Sequence, residues 1–510
     1  MTTSAGPRYQ LTPRSAGTAM FGLTIPQVAL MVIGAVIAIK LVTTDATVAG
    51  FGAAGAVLAA AAAVSFTPWG GRKVYEMVPC AARFCYRAAL GDNRWLAGLP
   101  RLDALGRPLG SPELPRCLDG LELRSVERPG WAGRDRTMAP LGLAVDRRSG
   151  AVTAAVAVKG AEFQLVPAGE QHARIRGWGM VLAQFARESA PISSVCWHEW
   201  SCPAPLAEHL DWLGGHSAEG SPAAVSYRRL LDSQSATVAR HELRVTITVD
   251  PRLLGRRRRS GGRRGRRDAV SAALQLLQVL MQRCRAAGLI VSPPLSAAQM
   301  AEAVRVQGDP AAVRSLPQTR GLGERAGLVP AAFGPLAMDN AWDHVTIDGA
   351  WHRVFWVQTW PSSEVEAAWI EPLLLDTLGT RTVTMIMEPV DPAASRRHVS
   401  KEHVGLQSSI ELRERKQFRV PAELHRAQAD LDRRESELGS GFAEYGYVAL
   451  IDVAARSVEE LDDLCDEYIT LAAQCGLELR SLDGRHNAAW ACTLPIGRTP
   501  DKDIVGAVRG

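Results

Sequence analysis

Two clusters in this sequence have the residue types to form a site, and the first could bind a metal. Cys196, His198 and Cys202 fall within seven residues and offer three soft ligands for zinc. No second CxxC or HxxxH lies nearby to complete a tetrahedral site. The alternation in SSVCWHEWS is typical of a strand, with Cys196 and His198 on the same side. We therefore expect an ordinary strand and no metal site.

The second cluster is the arginine-rich stretch GRRRRSGGRRGRRD, residues 255–268. The candidate residues for binding DNA or lipid phosphates are Arg256, Arg257, Arg258, Arg259, Arg263, Arg264, Arg266 and Arg267. Such a run can bind nucleic acid through salt-sensitive phosphate contacts, or anionic headgroups near a membrane. Blocks of like charge are also commonly disordered, which leaves a solvated linker as the third alternative. Because glycines punctuate the run and no aromatic residue is interleaved, we expect a loop between a strand and a helix.

The sequence motifs of common enzymes are absent. A P-loop needs a Gly-Lys-Ser/Thr element to hold phosphates and magnesium, and none of the six lysines follows a glycine. A GxSxG elbow and an HExxH motif are missing as well. Asp343, His344 and His352 could suggest catalysis, but a turn and the start of a strand explain them more simply. We expect no catalytic residues, no cofactor and no ATP hydrolysis by this chain.

Two apolar segments near the N-terminus must position the rest of the chain. They are FGLTIPQVALMVIGAVIAIKLV (21–42) and ATVAGFGAAGAVLAAAAAVSF (46–66). Each has about 20 residues, enough for a helix to cross a hydrocarbon core of about 30 Å. Lys40 is the one charged residue in them, and the glycines and alanines of the second segment permit close helix packing. The pattern predicts an antiparallel transmembrane hairpin.

The flanking basic residues predict the orientation of this hairpin. Lys40 lies near the short connection, whereas the other basic residues flank the pair: Arg8 and Arg14 before it, and Arg72, Lys73 and Arg83 after it. By the positive-inside rule, both termini are cytoplasmic in a two-pass protein of the inner (plasma) membrane. A cleaved signal peptide is an alternative, although cleavage would leave the second span. Two buried helices of a soluble core are the other alternative, although such helices rarely lack polar positions on every face.

Composition places the rest of the chain among multi-unit bacterial proteins. A length of 510 residues exceeds the usual limit of one hydrophobic core. The net charge of +5 would vanish without the arginine run. Nine scattered cysteines, an odd number, favour reduced thiols over a disulfide framework. The excess of alanine, glycine and arginine over lysine is typical of a GC-rich genome and suggests an actinobacterial source.

The predicted fold class is α+β, with an N-terminal two-helix transmembrane hairpin followed by a mixed α/β cytoplasmic region of two units. The predicted boundaries are a cytoplasmic tail (1–20), the hairpin (21–67), a Pro/Gly-rich connector (68–135), a first α/β unit (136–306) with the Arg-rich loop (255–268), a linker (307–330), and a second α/β unit (331–510) with long charged helices. Within the second unit we predict a helix over 362–378 and a helical region over 393–438 that Pro421 divides. Ser457 and Glu460 form the start signal of a later helix.

Four motifs resemble a family of actinobacterial membrane proteins from conjugative elements. They are GLTIPQVAL (22–30), VKGAEFQLVPAGEQHARIRGWGMVLA (158–183), RRESELGSGFAEYGYVAL (433–450) and TLPIGR (493–498). The family joins a PrgI-like hairpin to a domain similar to the N-terminal, non-ATPase part of the conjugation ATPase of type IV secretion systems. This resemblance implies a membrane-anchored platform for a separate hexameric ATPase and neighbouring inner-membrane subunits, with no active site. The sequence ends soon after the segment that would lead into a motor domain, so we expect any ATP-driven role to depend on a partner.

Two other functions fit the sequence. An EccE-type subunit of type VII secretion also pairs two N-terminal spans with a cytoplasmic domain, and its substrates would be proteins. A membrane-tethered protein that binds nucleic acid or anionic lipid would depend on the arginine run alone, and its nucleic-acid binding would weaken steeply with salt. The identity of a co-purifying ATPase distinguishes the first two functions.

Overall fold

The structure is a computed structural model. It describes the residues 25–44, 46–69, 72–98, 113–127, 140–160, 163–187, 190–203, 207–216, 221–234, 239–254, 263–314, 333–361, 363–375, 379–416 and 421–500. The predicted tail (1–20) and most of the predicted linker (307–330) lie outside these residues.

The described α-helices begin with the two apolar segments. They are α1 (Ile25–Thr44), α2 (Val48–Phe66), α3 (Val74–Ala89), α4 (Ala168–Phe185), α5 (Ala207–His216), α6 (Pro222–Gln234), α7 (Pro251–Leu254), α8 (Arg263–Ala286), α9 (Ala297–Gly308), α10 (Glu371–Leu375), α11 (Pro392–Arg415), α12 (Ala422–Gly439), α13 (Val458–Gln474) and α14 (His486–Thr493).

The described strands fall into a short hairpin and one large sheet. They are β1 (Pro68–Trp69), β2 (Arg72–Lys73), β3 (Arg94–Leu96), β4 (Leu121–Val126), β5 (Leu141–Asp146), β6 (Val152–Lys159), β7 (Ile192–Pro203), β8 (Ala239–Val249), β9 (Ile290–Pro294), β10 (Ala337–Asn340), β11 (Val345–Ile347), β12 (Ala350–Thr359), β13 (Thr380–Pro389), β14 (Tyr445–Ala455) and β15 (Glu478–Ser481).

A single 13-stranded sheet runs through the domain that follows the hairpin. Its order is β3-β10-β11-β12-β14-β13-β7-β8-β6-β5-β4, with β15 paired to β12 and β9 paired to β6. β7 and β13 pair antiparallel at its centre, with Trp197 opposite Met385. These strands come from the two different predicted units, so no sheet boundary separates the units. The division into two units stays a prediction.

The two halves of the sheet repeat one order of elements. From β5 to α9, and again from β11 to α14, the chain forms a strand hairpin, a helix, a strand, a helix pair, a strand, a long helix, a short strand and a last helix. In its described part, the first half also contains α7 and a 3-10 turn over Phe163–Leu165. β6 pairs with β5, β8 and β9, just as β12 pairs with β11, β14 and β15. Because β7 and β13 are antiparallel, an approximate two-fold axis normal to the sheet relates the halves.

The same turn ends the long helix of each half. Leu289 N donates to Cys284 O at 3.0 Å, and Leu477 N donates to Ala472 O at 2.8 Å. The preceding Gly288 and Gly476 have φ of 84° and 73°. This left-handed glycine is the usual end of a helix before a sharp turn, here into β9 and β15.

Helices cover both faces of the sheet, which explains why the central strands are apolar on both sides. On one face, α8 and α4 pack on the first half, and α13 and α10 pack on the second half. On the other face, α9 and α14 share one core across both halves. The α9 helix lies so close to β5 that a Cβ at Gly142 would be 2.3 Å from the backbone N of Ala297. Glycine is therefore required at this position.

Several predicted elements are confirmed. The two apolar helices form as expected in their described part. Pro421 precedes α12 and separates it from α11. The Ser457 hydroxyl accepts a hydrogen bond from Glu460 N at 3.2 Å, as the start signal predicted. The mixed helix and strand content of the chain after the hairpin also agrees with the predicted fold class.

Two predicted elements differ from the structure. The helix predicted over 362–378 begins only at Glu371, because residues 367–370 form a turn, and residues 376–378 lie outside the described residues. The segment 68–135 is more than a connector, because it contains the 16-residue helix α3 and contributes β3 and β4 to the two edges of the sheet. The Pro- and Gly-rich composition of the segment concealed these elements in the sequence.

Candidate functional site

The best-defined candidate site is the surface of the apolar hairpin. The spans Gln27–Thr44 and Val48–Phe66 are long and apolar enough to cross a membrane, and only 17% of each is buried within the protein. Val32, Ile33, Val36 and Phe51 are more than half exposed. This exposure disfavours the alternative that the two helices form a soluble core.

Close packing joins the two helices of this hairpin. A Cβ at Gly34 would lie 2.8 Å from the Cβ of Ala61, so the helices touch where the first has no side chain. The side chain of Gln27 is fully buried, and its Nε2 donates to Ser65 O at 2.9 Å. Gln27, in the first turn of α1, therefore satisfies a carbonyl in the last turn of α2.

The arginine run is described only in its second half. Arg256, Arg257, Arg258 and Arg259 lie outside the described residues. The backbone of residues 263–267, which includes Arg263, Arg264, Arg266 and Arg267, forms the first turns of α8, whereas we expected the loop to reach residue 268. Arginine is a good helix former, so the helix can begin within the run despite the unfavourable charge at its N-terminus.

The cysteine and histidine cluster lies in the central strand β7. As predicted, Cys196 and His198 belong to a strand, and both side chains are buried because helices cover that face too. Burial raises the pKa of the Cys196 and Cys202 thiols to about 11, which keeps them protonated and poor ligands at neutral pH. His198 Nδ1 donates to Thr493 O at 2.9 Å, and Nε2 accepts from the Thr246 hydroxyl at 3.2 Å. Both ring nitrogens are therefore engaged within the core.

The neutral state of His198 predicts a specific loss of stability in mild acid. Burial lowers the pKa of His198 to about 3. Below pH 6.5 the unfolded chain gains a proton at this histidine that the folded chain does not, so stability falls by about 1.4 kcal/mol per pH unit. We expect His198→Asn, whose amide can still donate to Thr493 O, to be less destabilised than the wild type when the pH falls from 6.5 to 5. Thermal unfolding of the detergent-solubilised full chain measures this difference.

A matched control separates this effect from the general action of acid. His425 occupies an exposed position of α12, so His425→Asn should keep the acid sensitivity of the wild type. Equal pH dependence of the His198→Asn variant and the wild type would contradict the assignment of a neutral buried histidine.

A second buried histidine joins the two halves of the sheet. His352, in β12, is fully buried and contacts the Asp452 carboxylate at 3.1 Å through Nδ1. Its Nε2 lies 2.9 Å from Gly308 O, at the end of α9. Burial opposes protonation, but the Asp452 charge and both hydrogen bonds outweigh it and raise the pKa of His352. We predicted that His352 belongs to the start of a strand, and the structure confirms this.

A third buried polar group also lies where the halves meet. Glu199 in β7 accepts a hydrogen bond from His241 Nδ1 at 2.7 Å, and it lies 3.8 Å from Arg381 Nε in β13. Arg381 is fully buried and donates to the Tyr468 hydroxyl at 3.1 Å. We did not predict this network, although charged residues inside apolar strands were its signal. These contacts hold the junction of the halves together.

Two open depressions lie on the described part of the surface. Asp466, Glu467 and Leu471 line the first, on α13, and Arg396, Lys401 and Val404 line the second, on α11. Among the described residues, no group of three His, Cys, Asp or Glu side chains could hold a metal ion. The notable features of this part of the chain are therefore surfaces: the apolar hairpin and the projecting helix pairs.

No family model and no curated protein matches the sequence.

Proposed function

We propose that this protein is a non-enzymatic inner-membrane scaffold of a type IV secretion-like conjugative DNA transfer apparatus, which presents a cytoplasmic platform to a separate ATPase. The observation that carries the proposal is the exposed apolar hairpin at the start of a broad, continuous sheet. The hairpin supplies an anchor, and the sheet supplies a rigid body of two similar halves. The resemblance of four sequence motifs to conjugation proteins supplies the kind of apparatus.

The orientation of the platform follows from the charges around the hairpin. Lys40 lies near the connection of α1 and α2, whereas Arg72 and Lys73 follow directly after α2. By the positive-inside rule, we propose that the sheet and both termini lie in the cytoplasm. A cytoplasmic ATPase can reach the sheet in this orientation.

The helix pair α11 and α12 is the best candidate arm for binding a partner. The α11 helix has 24 residues and a length of about 36 Å, and its buried residues, Ser395 and Val399, lie in its first half. Val404 and Leu412, further along α11, are 61% and 55% exposed. The far end of the pair therefore extends beyond the sheet and exposes apolar side chains that a partner subunit can cover.

Affinity purification of the tagged full chain from its native membranes tests this function. We expect a conjugation-type ATPase and neighbouring membrane subunits in the eluate. A double variant, Val404→Asp with Leu412→Asp, should lose the ATPase while its membrane level stays unchanged. Ser409→Asp, at an exposed polar position of the same helix, is the matched control and should retain it.

Other outcomes identify the other functions. Recovery of an FtsK-like motor with several ATPase domains would favour the type VII subunit over the conjugation scaffold. Recovery of nucleic acid without any ATPase, lost at raised salt, would favour a tethered nucleic-acid-binding protein. Either result would overturn the proposed function.

A further inference from the structure

Helix α3 has an exposed apolar face at the point where the chain leaves the hairpin. Val78 and Tyr86 are 54% and 67% exposed, and Leu90, which lies just past the helix end, is 59% exposed. Ala82 and Cys85 are exposed between them. The spacing of 78, 82, 85, 86 and 89 places these positions on one side of a helix. In the described structure, that side is covered by no other element.

The opposite side of α3 is fixed to the sheet domain. Glu76 accepts a hydrogen bond from Arg480 of β15 at 2.7 Å. Phe84 packs edge-on against Trp342, with ring centroids 5.3 Å apart. Because Glu76 and Phe84 are eight residues apart, they lie on one side of the helix. The domain therefore holds α3 by one side and leaves the apolar side outward.

The helix is also tied closely to the end of the membrane hairpin. α2 ends at Phe66, and Val74 N, at the start of α3, donates to Thr67 O at 3.3 Å. β1 and β2 pair between the two helices, with Trp69 opposite Arg72. If α2 spans the bilayer, α3 begins at the membrane surface.

The charges around α3 fit an anionic surface. Arg72 and Lys73 precede the helix directly, next to the end of the hairpin, whereas Arg83 and Arg87 follow Glu76 by seven and eleven positions and so lie on its side of the helix. Glu76, the acidic residue of α3, is turned to the domain by its contact with Arg480. Basic residues beside an apolar helical face are typical of helices that lie in the headgroup region, and tyrosine is common at that depth.

We propose that α3 is an interfacial helix, whose face of Val78, Ala82, Cys85, Tyr86 and Ala89 inserts into the cytoplasmic surface of an anionic bilayer. The helix then acts as a strut that fixes the sheet domain against the membrane, because its other side is held by Arg480 and Trp342. The inference depends on the membrane insertion of the hairpin within the proposed function. It adds a second membrane contact and an orientation for the domain.

Fluorescence of a probe at Cys85 tests the proposal in the full chain. Cys85 is the one exposed cysteine of the nine, so an environment-sensitive dye such as NBD can be attached there after Cys80 is replaced by alanine. The labelled chain is reconstituted into vesicles of phosphatidylcholine and phosphatidylglycerol, with and without nitroxide-labelled lipid. We expect a blue-shifted emission at Cys85 that loses most of its intensity to the nitroxide lipid.

Two control positions make the outcome decisive. In a Cys85→Ala background, a dye attached at Val36→Cys reports the middle of the hairpin, and the nitroxide lipid should quench it. A dye attached at Ser409→Cys on α11 should not be quenched. Val78→Asp with Tyr86→Asp should reduce the quenching at Cys85 and leave that at Val36→Cys unchanged.

The two failures are distinguishable. If the dye at Cys85 is not quenched while the dye at Val36→Cys is quenched, α3 does not bind lipid. The inference is then overturned, but the proposed membrane-anchored scaffold is not. If Val36→Cys is also unquenched, the hairpin is not inserted, and both the proposed function and the inference fail.

Discussion

Replacing Asp452 by alanine is expected to lower the free energy of unfolding of the full chain by about 3 to 5 kcal/mol. Asp452 and His352 are both buried, with the carboxylate 3.1 Å from Nδ1. Both nitrogens of His352 face acceptors, the carboxylate and Gly308 O, so the ring can satisfy both only as a cation. Without Asp452 the core must hold either an uncompensated charge or a neutral ring with one unsatisfied contact.

Urea unfolding of the detergent-solubilised chain, followed through its 13 tryptophans, measures the effect. Asp462→Ala is the matched control, because Asp462 pairs with Arg353 at 2.8 Å but its side chain is 58% exposed. Arg353 is only 15% exposed but keeps a second carboxylate partner in Asp343, so removal of the solvent-exposed Asp462 should cost about 0 to 1 kcal/mol. Asp452→Asn should lose less than Asp452→Ala, since the amide oxygen can still accept from His352.

The comparison of the two alanine variants decides whether the buried pair stabilises the junction. A loss for Asp452→Ala no greater than that for Asp462→Ala would show that the His352 contact contributes nothing. The charged His352 would then not be what fixes Gly308, at the end of α9, to the second half of the sheet.

Elements with strong local patterns could be predicted from the sequence. The hairpin helices have continuous apolar composition, and α13 has both a start signal at Ser457 and a glycine just past its end at Gly476. Such signals depend on residues within one or two helical turns. Their structure follows from local chemistry, which is why the sequence alone was sufficient for them.

The joining of the sheet could not be predicted in the same way. β7 pairs with β13 across more than 180 residues of sequence, and nothing in either strand specifies the partner. An apolar strand that is buried on both faces fits any central position in a sheet. The repeat of elements was also hidden, because its helix pairs differ in length: α5 and α6 have 10 and 13 residues, and α11 and α12 have 24 and 18.

The polar groups of the core and the helix α3 were missed for different reasons. Arg381 and Glu199 interrupt apolar strands, and their burial is possible only because Tyr468 and His241 complete the contacts from distant elements. For α3, the Pro- and Gly-rich composition of residues 68–135 suggested a connector. Pro79 lies within α3, at an exposed position, and does not prevent the helix from forming.

The largest effect on localisation is expected from charges placed on the outward face of the hairpin. Val36 and Leu58 lie near the middle of α1 and α2 and are 60% and 40% exposed. An aspartate at the centre of a membrane helix costs about 2.5 to 3.5 kcal/mol on the insertion scale. Val36→Asp with Leu58→Asp should therefore prevent stable insertion, whereas Val36→Leu with Leu58→Val, which keeps the face apolar, should not.

Extraction of cell membranes with alkaline carbonate tests the central claim most directly, because this treatment releases peripheral proteins and leaves integral ones in the pellet. The wild-type chain and the apolar control, Val36→Leu with Leu58→Val, are predicted to stay in the pellet, and the double aspartate variant is predicted to move to the supernatant. Release of the wild-type chain by carbonate would contradict the membrane-anchored scaffold.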